Sequence, residues 1–161
     1  MVAAMIALFL KRRRRAEAPT PARPADPPDV DALRALDALG QSGLLERGEA
    51  RAFYIELVAI AKRYLERRLD APLLEMTSQE AGVFLKGHPE AAPLASAFRE
   101  MCGAADQVKF ARGGAVAEEG QRHLTAARSL VSTLESRMHA AARAASAQAP
   151  GTGAAQARAT T

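Results

Sequence analysis

The supply of large apolar side chains is the tightest constraint on how this chain folds. Of its 161 residues, 38 are alanine and only 32 are leucine, isoleucine, valine or phenylalanine. Because hydrophobic stabilisation scales with the apolar area that is buried, alanine adds little to a core. The core-forming set is therefore about a fifth of the chain, near the lower limit for a folded globule. The length favours one domain, and a single cysteine excludes a disulfide framework and a thiolate-rich metal site.

The formal net charge of +4 is concentrated at the two ends of the chain. Residues 1–28 carry a net charge of +4, residues 29–139 carry −2, and residues 140–161 carry +2. A nucleic-acid-binding module normally carries a basic stripe on the folded domain itself. The near-neutral middle of the chain therefore argues against nucleic acid as the partner.

Residues 1–10 form an uncharged apolar run that five basic residues follow at once. A ten-residue helix spans about 15 Å, half of the roughly 30 Å hydrocarbon core of a bilayer. A signal peptide carries its positive charge before the apolar run, whereas a basic cluster directly after one is a cytoplasmic stop-transfer pattern. The pattern predicts that residues 1–10 are the C-terminal part of a transmembrane helix and that the natural chain begins upstream. The bulk of the chain would then face the cytoplasm at the inner membrane. The residues expected at the membrane surface are Lys11, Arg12, Arg13, Arg14 and Arg15.

Two other interpretations of the N-terminus stay open. Residues 1–10 would lie in the headgroup layer with the arginines on anionic lipid, or they would form a disordered soluble tail. Residues 11–28 join the basic cluster to a segment with five prolines between positions 16 and 28. Because proline excludes a helix interior or a central strand, this segment is predicted to be a semi-rigid linker that holds the next domain off the membrane.

The body of the chain, residues 29–139, predicts an all-α domain of about five helices in a small bundle. Asp29 or Asp31 is expected to cap the first helix, which ends at Gly40. The second helix, 49–69, has no glycine or proline. Its wide apolar arc predicts that it is central and contacts neighbours on two sides.

The remaining helices are shorter or less regular in pattern. Thr77 to Glu80 has the form of a capping box that opens a third helix, which ends near Gly87. A fourth helix is predicted over 91–101, ended by Cys102 and Gly103, and 104–111 fits either a helical turn or an extended piece. A last helix begins near position 117 with a narrow seam of coiled-coil type. The seam consists of Leu124, Ala127, Val131, Leu134 and Met138. Residues 140–161 are expected to be a disordered tail, in which the alanines extend the helix only briefly.

Catalytic and metal-binding chemistry finds no support in the pattern of residues, and neither an enzymatic activity nor a cofactor is predicted. The three histidines, His88, His123 and His139, lack the spacing of a helical metal site and are expected at the surface. Cys102 is expected to be a buried structural residue, because no sequence feature places a base beside it.

The second helix carries a basic cluster towards its C-terminal end, formed by Lys62, Arg63, Arg67 and Arg68. One interpretation is complementarity to the helix dipole with pairing to Glu66 and Asp70. The other is a binding surface for an acidic partner or for the anionic inner leaflet. A second candidate for partner binding is Asp106 with Lys109, which would lie on one side of a helical turn.

A helix-turn-helix is the alternative reading of the second and third helices. About seven residues separate them, whereas the usual turn has three or four. The candidate recognition helix carries one cation, Lys86, against Glu80, although phosphate contacts normally supply much of the affinity for DNA. A soluble DNA-binding or regulatory domain therefore remains the second hypothesis.

Five blocks of sequence, in order, carry a resemblance to a known family. They are residues 43–45 (GLL), 53–57 (FYIEL), 63–68 (RYLERR), 75–80 (EMTSQE) and 105–111 (ADQVKFA). Together they resemble the cytoplasmic helical domain of BatD-like bacterial single-span membrane proteins. Those proteins are encoded beside MoxR-type AAA+ ATPases and von Willebrand factor A-domain proteins. The resemblance implies a non-enzymatic, membrane-tethered interaction domain whose protein partner is such an ATPase or A-domain protein, and it carries over no catalytic residue.

Overall fold

A computed structural model describes residues 26–108 and 115–148. They form five α-helices and one short 3₁₀ turn, with no strand among them. The helices are α1 (Pro28–Gly40), α2 (Ala50–Leu69), α3 (Ser78–Gly87), α4 (Ala95–Gln107) and α5 (Ala115–Gln148), and the 3₁₀ turn is Ala92–Leu94. The predicted all-α bundle of about five helices is confirmed. Within the described ranges no helix combines the length and the hydropathy that crossing a membrane requires.

The first helix begins earlier than the expected aspartate cap. Pro27 occupies the N-cap position and Pro28 the first helical position, and no side chain caps the helix. Proline suits this position because its fixed φ matches a helix and its missing N–H would be unpaired there anyway. Asp29 and Asp31 lie in the first turn instead, so the prediction that one of them is the cap was wrong. The predicted end at Gly40 is confirmed.

Helix α2 is the centre of the bundle, as its wide apolar arc predicted. It packs against α1, α4 and α5. Its buried side chains are Phe53, Tyr54, Leu57, Ile60, Ala61, Tyr64 and Leu65. The helix ends at Asp70, which adopts the left-handed conformation with a φ of 51°.

The start of α3 is fixed locally by its capping box, which is confirmed. The Glu80 backbone N–H donates to Thr77 Oγ1 at 3.2 Å, and the Thr77 backbone N–H donates to Glu80 Oε2 at 2.8 Å. The hydrogen bond from the Thr77 backbone N–H favours the ionised carboxylate and, with a smaller effect of the Thr77 side chain, lowers the pKa of Glu80.

Helix α4 continues past the residues that were expected to end it. It runs through Cys102 and Gly103 to Gln107. A glycine inside a helix costs about 1 kcal/mol relative to alanine, and the burial of Met101, Cys102 and Ala104 in the core outweighs that cost. The ambiguity over 104–111 is thus settled as helix up to Gln107, while positions 109–114 lie outside the described residues.

Helix α5 is much longer than its buried seam. Its core residues are Leu124, Ala127, Leu130, Val131 and Leu134, with Met138 partly buried against them. The predicted body ends at 139, but the helix continues to Gln148 with mostly exposed side chains. Alanine has the highest helix propensity of all residues, so this stretch stays helical without burial.

Cross-helix contacts show that α5 runs parallel to α2. Tyr54, early in α2, contacts His123, which is early in α5. Arg68, late in α2, contacts Glu135, which is twelve residues after His123 in α5. The two helices therefore run in the same direction, and α5 continues beyond the end of α2.

Helix α1 runs in the opposite direction to both. Residues 28–35 line a crevice together with residues 60–67, and Arg67 contacts Asp31. At its other end, α1 places Asp37 within 2.8 Å of Arg128. One end of the bundle, here termed the Asp26 pole, thus holds the start of α1, the last turn of α2 and the part of α5 near Glu135. The opposite pole holds residues 41–49 and the beginnings of α2 and α5.

Candidate functional site

The basic half of α2 sends its side chains to three different elements, although the exposed Arg63 and Arg67 line the same crevice. Lys62 Nζ donates to the Met76 carbonyl at 2.5 Å, towards the loop before α3. Arg67 reaches α1 and Arg68 reaches α5. Arg63 is exposed, and within the described ranges it has no hydrogen bond or ion pair.

The pairing expected inside α2 is replaced by contacts between elements. Glu66 Oε2 accepts a hydrogen bond from the Leu74 backbone N–H at 2.9 Å, so that carboxylate fastens the loop after α2. Arg67 and Arg68 lie in the last turn of the helix, where positive charge is complementary to the helix dipole.

Arg68 belongs to a polar junction at the α2–α5 interface. Its Nε donates to Glu135 Oε1 at 2.7 Å, and the Tyr64 hydroxyl donates to the same oxygen at 2.8 Å. The Tyr64 hydroxyl is also 3.2 Å from the Val131 carbonyl. Burial, followed by the hydrogen bond to Glu135, raises the pKa of Tyr64. The junction is an architectural contact that orients α5 on α2.

A second tyrosine makes the corresponding contact at the other end of this interface. The Tyr54 hydroxyl lies 2.8 Å from His123 Nδ1, and the two rings meet edge to face. Burial, with a smaller effect of Glu119, raises the pKa of Tyr54 to about 12. His123 was expected at the surface, but the structure places it half-buried in this interface.

The second candidate pair is only partly described. Asp106 is exposed on α4, near its C-terminal end, whereas Lys109 lies outside the described residues. The five membrane-surface candidates, 11–15, and the apolar run 1–10 also lie outside them. These residues therefore remain sequence predictions.

Metal-binding and thiol chemistry have no assembled site in the described part of the chain. No group of three or more histidine, cysteine, aspartate or glutamate side chains in it could hold a metal ion. Cys102 is buried, as expected, and burial raises the pKa of its thiol. The crevice between α1 and α2 has a volume of about 30 Å³, which accommodates about one water molecule.

The contacts of α3 differ from those of a helix-turn-helix. This helix packs mainly against α4 and the 3₁₀ turn, and eight residues, 70–77, separate it from α2. After α3, Arg137 of α5 donates to the carbonyls of Pro89 and Glu90 at 3.2 and 2.7 Å, which holds the turn between α3 and α4 in place.

Sequence reasoning missed the acceptors that occupy the basic residues. Glu135 and Asp31 lie 67 and 36 positions from their arginines, so no local spacing rule relates them. Comparison with protein-family models, with curated proteins and with solved structures gave no match.

Proposed function

We propose that this chain is a non-enzymatic interaction domain that its N-terminal segment attaches to the cytoplasmic face of the inner membrane. One observation carries the proposal: an apolar run, five consecutive basic residues and a proline-rich spacer occur in that order, and the folded body begins at Pro28, where the spacer ends. A basic cluster after an apolar run is retained on the cytoplasmic side. The segment and the body therefore fit an anchor, a spacer and a helical domain.

The partner proposed for the domain is a MoxR-type AAA+ ATPase or a von Willebrand factor A-domain protein. This part of the proposal is supported by the resemblance of the five sequence blocks. Within the basic half of α2, Arg63 is the side chain best suited to contact a partner, because it is exposed and the neighbouring cations are bound to α1, to α5 and to the loop before α3.

Vesicle flotation tests the membrane attachment. The full chain is expected to float with vesicles rich in phosphatidylglycerol. A variant with glutamine at positions 11–15 should bind far more weakly, because each cation near an anionic surface contributes about 1 kcal/mol. A control variant with glutamine in place of the exposed Arg51, Arg122 and Arg143 should float like the unmodified chain. If the full chain does not float at all, membrane attachment is refuted.

Co-purification tests the protein partner. A MoxR-type ATPase or an A-domain protein should co-purify with the chain from solubilised membranes, and Arg63→Glu should weaken that association while the circular dichroism spectrum stays unchanged. Glu56→Lys, a charge reversal at another exposed position of α2, is the matched control. Undiminished association with the Arg63 variant would show that the partner binds elsewhere, and no association of the unmodified chain with either protein would overturn the partner assignment.

A further inference from the structure

The turn between α3 and α4 contains a buried nitrogen atom that no hydrogen bond satisfies. His88 occupies the C-cap position of α3, and its side chain is 26% exposed, although it was expected at the surface. In the described part of the chain, His88 Nδ1 is buried and has no hydrogen-bond partner. Because an unpaired buried polar atom destabilises a folded protein, a change that supplied the missing hydrogen bond would stabilise this turn.

The carboxylate of Glu90 lies beside this nitrogen but does not reach it. Glu90 Oε2 is 3.6 Å from His88 Nδ1, and the Glu90 side chain is 25% exposed. A hydrogen bond from a cationic N–H to a carboxylate is about 2.7–2.9 Å long, so a contraction of less than about 1 Å would form one. Nδ1 donates such a bond only when it carries a proton, and an adjacent carboxylate favours the charged imidazolium.

Charged groups on the neighbouring elements surround this pair. From α5, Arg137 donates to two backbone carbonyls of the turn, and its charge opposes a second cation there. On α5 the carboxylate of Glu135 is bound to α2. Lys86 of α3 is exposed, and Arg99 of α4 lies over the middle of α3. The Glu90 carboxylate is the charged group that contacts the ring directly, so it sets the sign of the effect of a proton.

We propose that His88 and Glu90 form a proton-binding switch that tightens this turn as the pH falls through the range in which histidines titrate, about 6–7. The added proton lies on Nδ1 and is donated to Glu90 Oε2. The stabilisation is present at low pH and is lost as the pH rises, because the protonated form gains the partner. The backbone N–H groups of Ala91 and Ala92 donate to the His88 carbonyl at 3.1 and 2.8 Å, and Arg137 ties the same turn to α5. The switch therefore acts on the contact between the α3–α4 pair and α5, and it does not depend on the proposed membrane attachment.

Nitrogen-15 NMR of the imidazole rings in the full chain tests where the proton binds. Between about pH 8 and pH 6, Nδ1 of His88 is expected to gain a proton that exchanges slowly with water. His139, whose side chain is 72% exposed, is the internal control and should exchange quickly. A His88 Nδ1 that is unprotonated at the lower pH, that is already protonated at the higher pH, or whose proton exchanges as fast as that of His139 overturns the proposal.

Urea unfolding at the two pH values measures the effect of the switch on the whole bundle. From the higher to the lower pH, the folding equilibrium constant of the unmodified chain should rise about three- to tenfold more than that of His88→Asn. The other histidines contribute alike to both chains, so their effect cancels in this comparison.

A matched pair of carboxylate variants identifies the partner of the imidazole in the same assay. Glu90→Gln keeps the size of the side chain but removes its charge, so it should abolish the additional rise in the folding equilibrium constant. The control Glu100→Gln, at an exposed position of α4, should retain it. Equal pH dependence of the unmodified chain and His88→Asn, or an undiminished rise in Glu90→Gln, would refute the switch.

Discussion

Glu135 is the residue whose removal tests most directly whether the basic half of α2 serves the fold. In Glu135→Ala, Arg68 and the Tyr64 hydroxyl lose their shared acceptor, at present 2.7 and 2.8 Å away, while the hydroxyl keeps the Val131 carbonyl. A hydrogen bond to a charged group contributes about 1.5–3 kcal/mol. The Arg68 and Glu135 side chains are 24% and 18% exposed, so solvent screening reduces the sum of the two contacts. We expect the free energy of unfolding to fall by about 2–4 kcal/mol.

Urea unfolding followed by circular dichroism measures this loss, and two further variants apportion it. Glu135→Gln keeps an acceptor for the tyrosine and should cost about half as much as Glu135→Ala. The double-mutant cycle of Glu135→Ala with Arg68→Ala should give a coupling of about 1–2 kcal/mol. Exposed surface ion pairs are worth about 0.2–1 kcal/mol. A loss below about 0.5 kcal/mol for Glu135→Ala would therefore refute the architectural role and return Arg68 to the set of partner-binding candidates.

Three further variants and one change of pH probe other parts of the bundle. Gly120→Ala should destabilise the protein by about 1–3 kcal/mol in the same urea assay, because the new Cβ would lie 2.8 Å from both δ-methyl groups of Leu45. Gly103→Ala should instead stabilise it by about 0.5–1 kcal/mol, because the space around the new Cβ is open. Thr77→Ala should cost about 1 kcal/mol through loss of the cap, and an unchanged melting curve would contradict this. Because burial raises the pKa of Tyr54 to about 12, its contribution is complete below pH 10 and is lost as the pH rises from 10 towards 12. With the second buried tyrosine acting in the same direction, stability should decline by up to about 1.4 kcal/mol per pH unit per tyrosine. Tyrosinate absorbance from the folded protein near pH 10, the ordinary pKa of tyrosine, would disprove this.

Features of the fold that depend on neighbouring residues could be predicted from the sequence. The capping box of α3 needs only residues three apart, and the central position of α2 follows from its own apolar arc. The end of α4 could not be predicted in this way. Gly103 is an unfavourable residue in an isolated helix, but the burial of Met101 and Ala104 against the rest of the bundle decides the outcome.

The candidate site shows the same division between local and distant determinants. The four cations of α2 form one cluster in the sequence, and their predicted position towards the C-terminal end of this helix is confirmed. Their partners are distributed over α1, α5 and the loop before α3, so the cluster is divided once the chain is folded. Arg63 and Arg67 are both exposed, but only Arg63 is without a hydrogen bond or ion pair in the described part of the chain, and that distinction depends on contacts 36 to 67 residues away.

The position of α5 after the four other described helices sets the order in which the bundle is completed during synthesis. The side-chain hydrogen bonds that hold α5 to earlier helices join residues 47 to 91 positions apart. A nascent chain that ends at Val108 has already produced the apolar face of α2 but not the seam that covers it. At about 5–20 residues per second, translation of the next thirty residues takes roughly 2–6 seconds. For that interval the side chains of Tyr54 and Tyr64 lack their contacts with α5, and the part of α2 that α5 later covers is accessible to a chaperone.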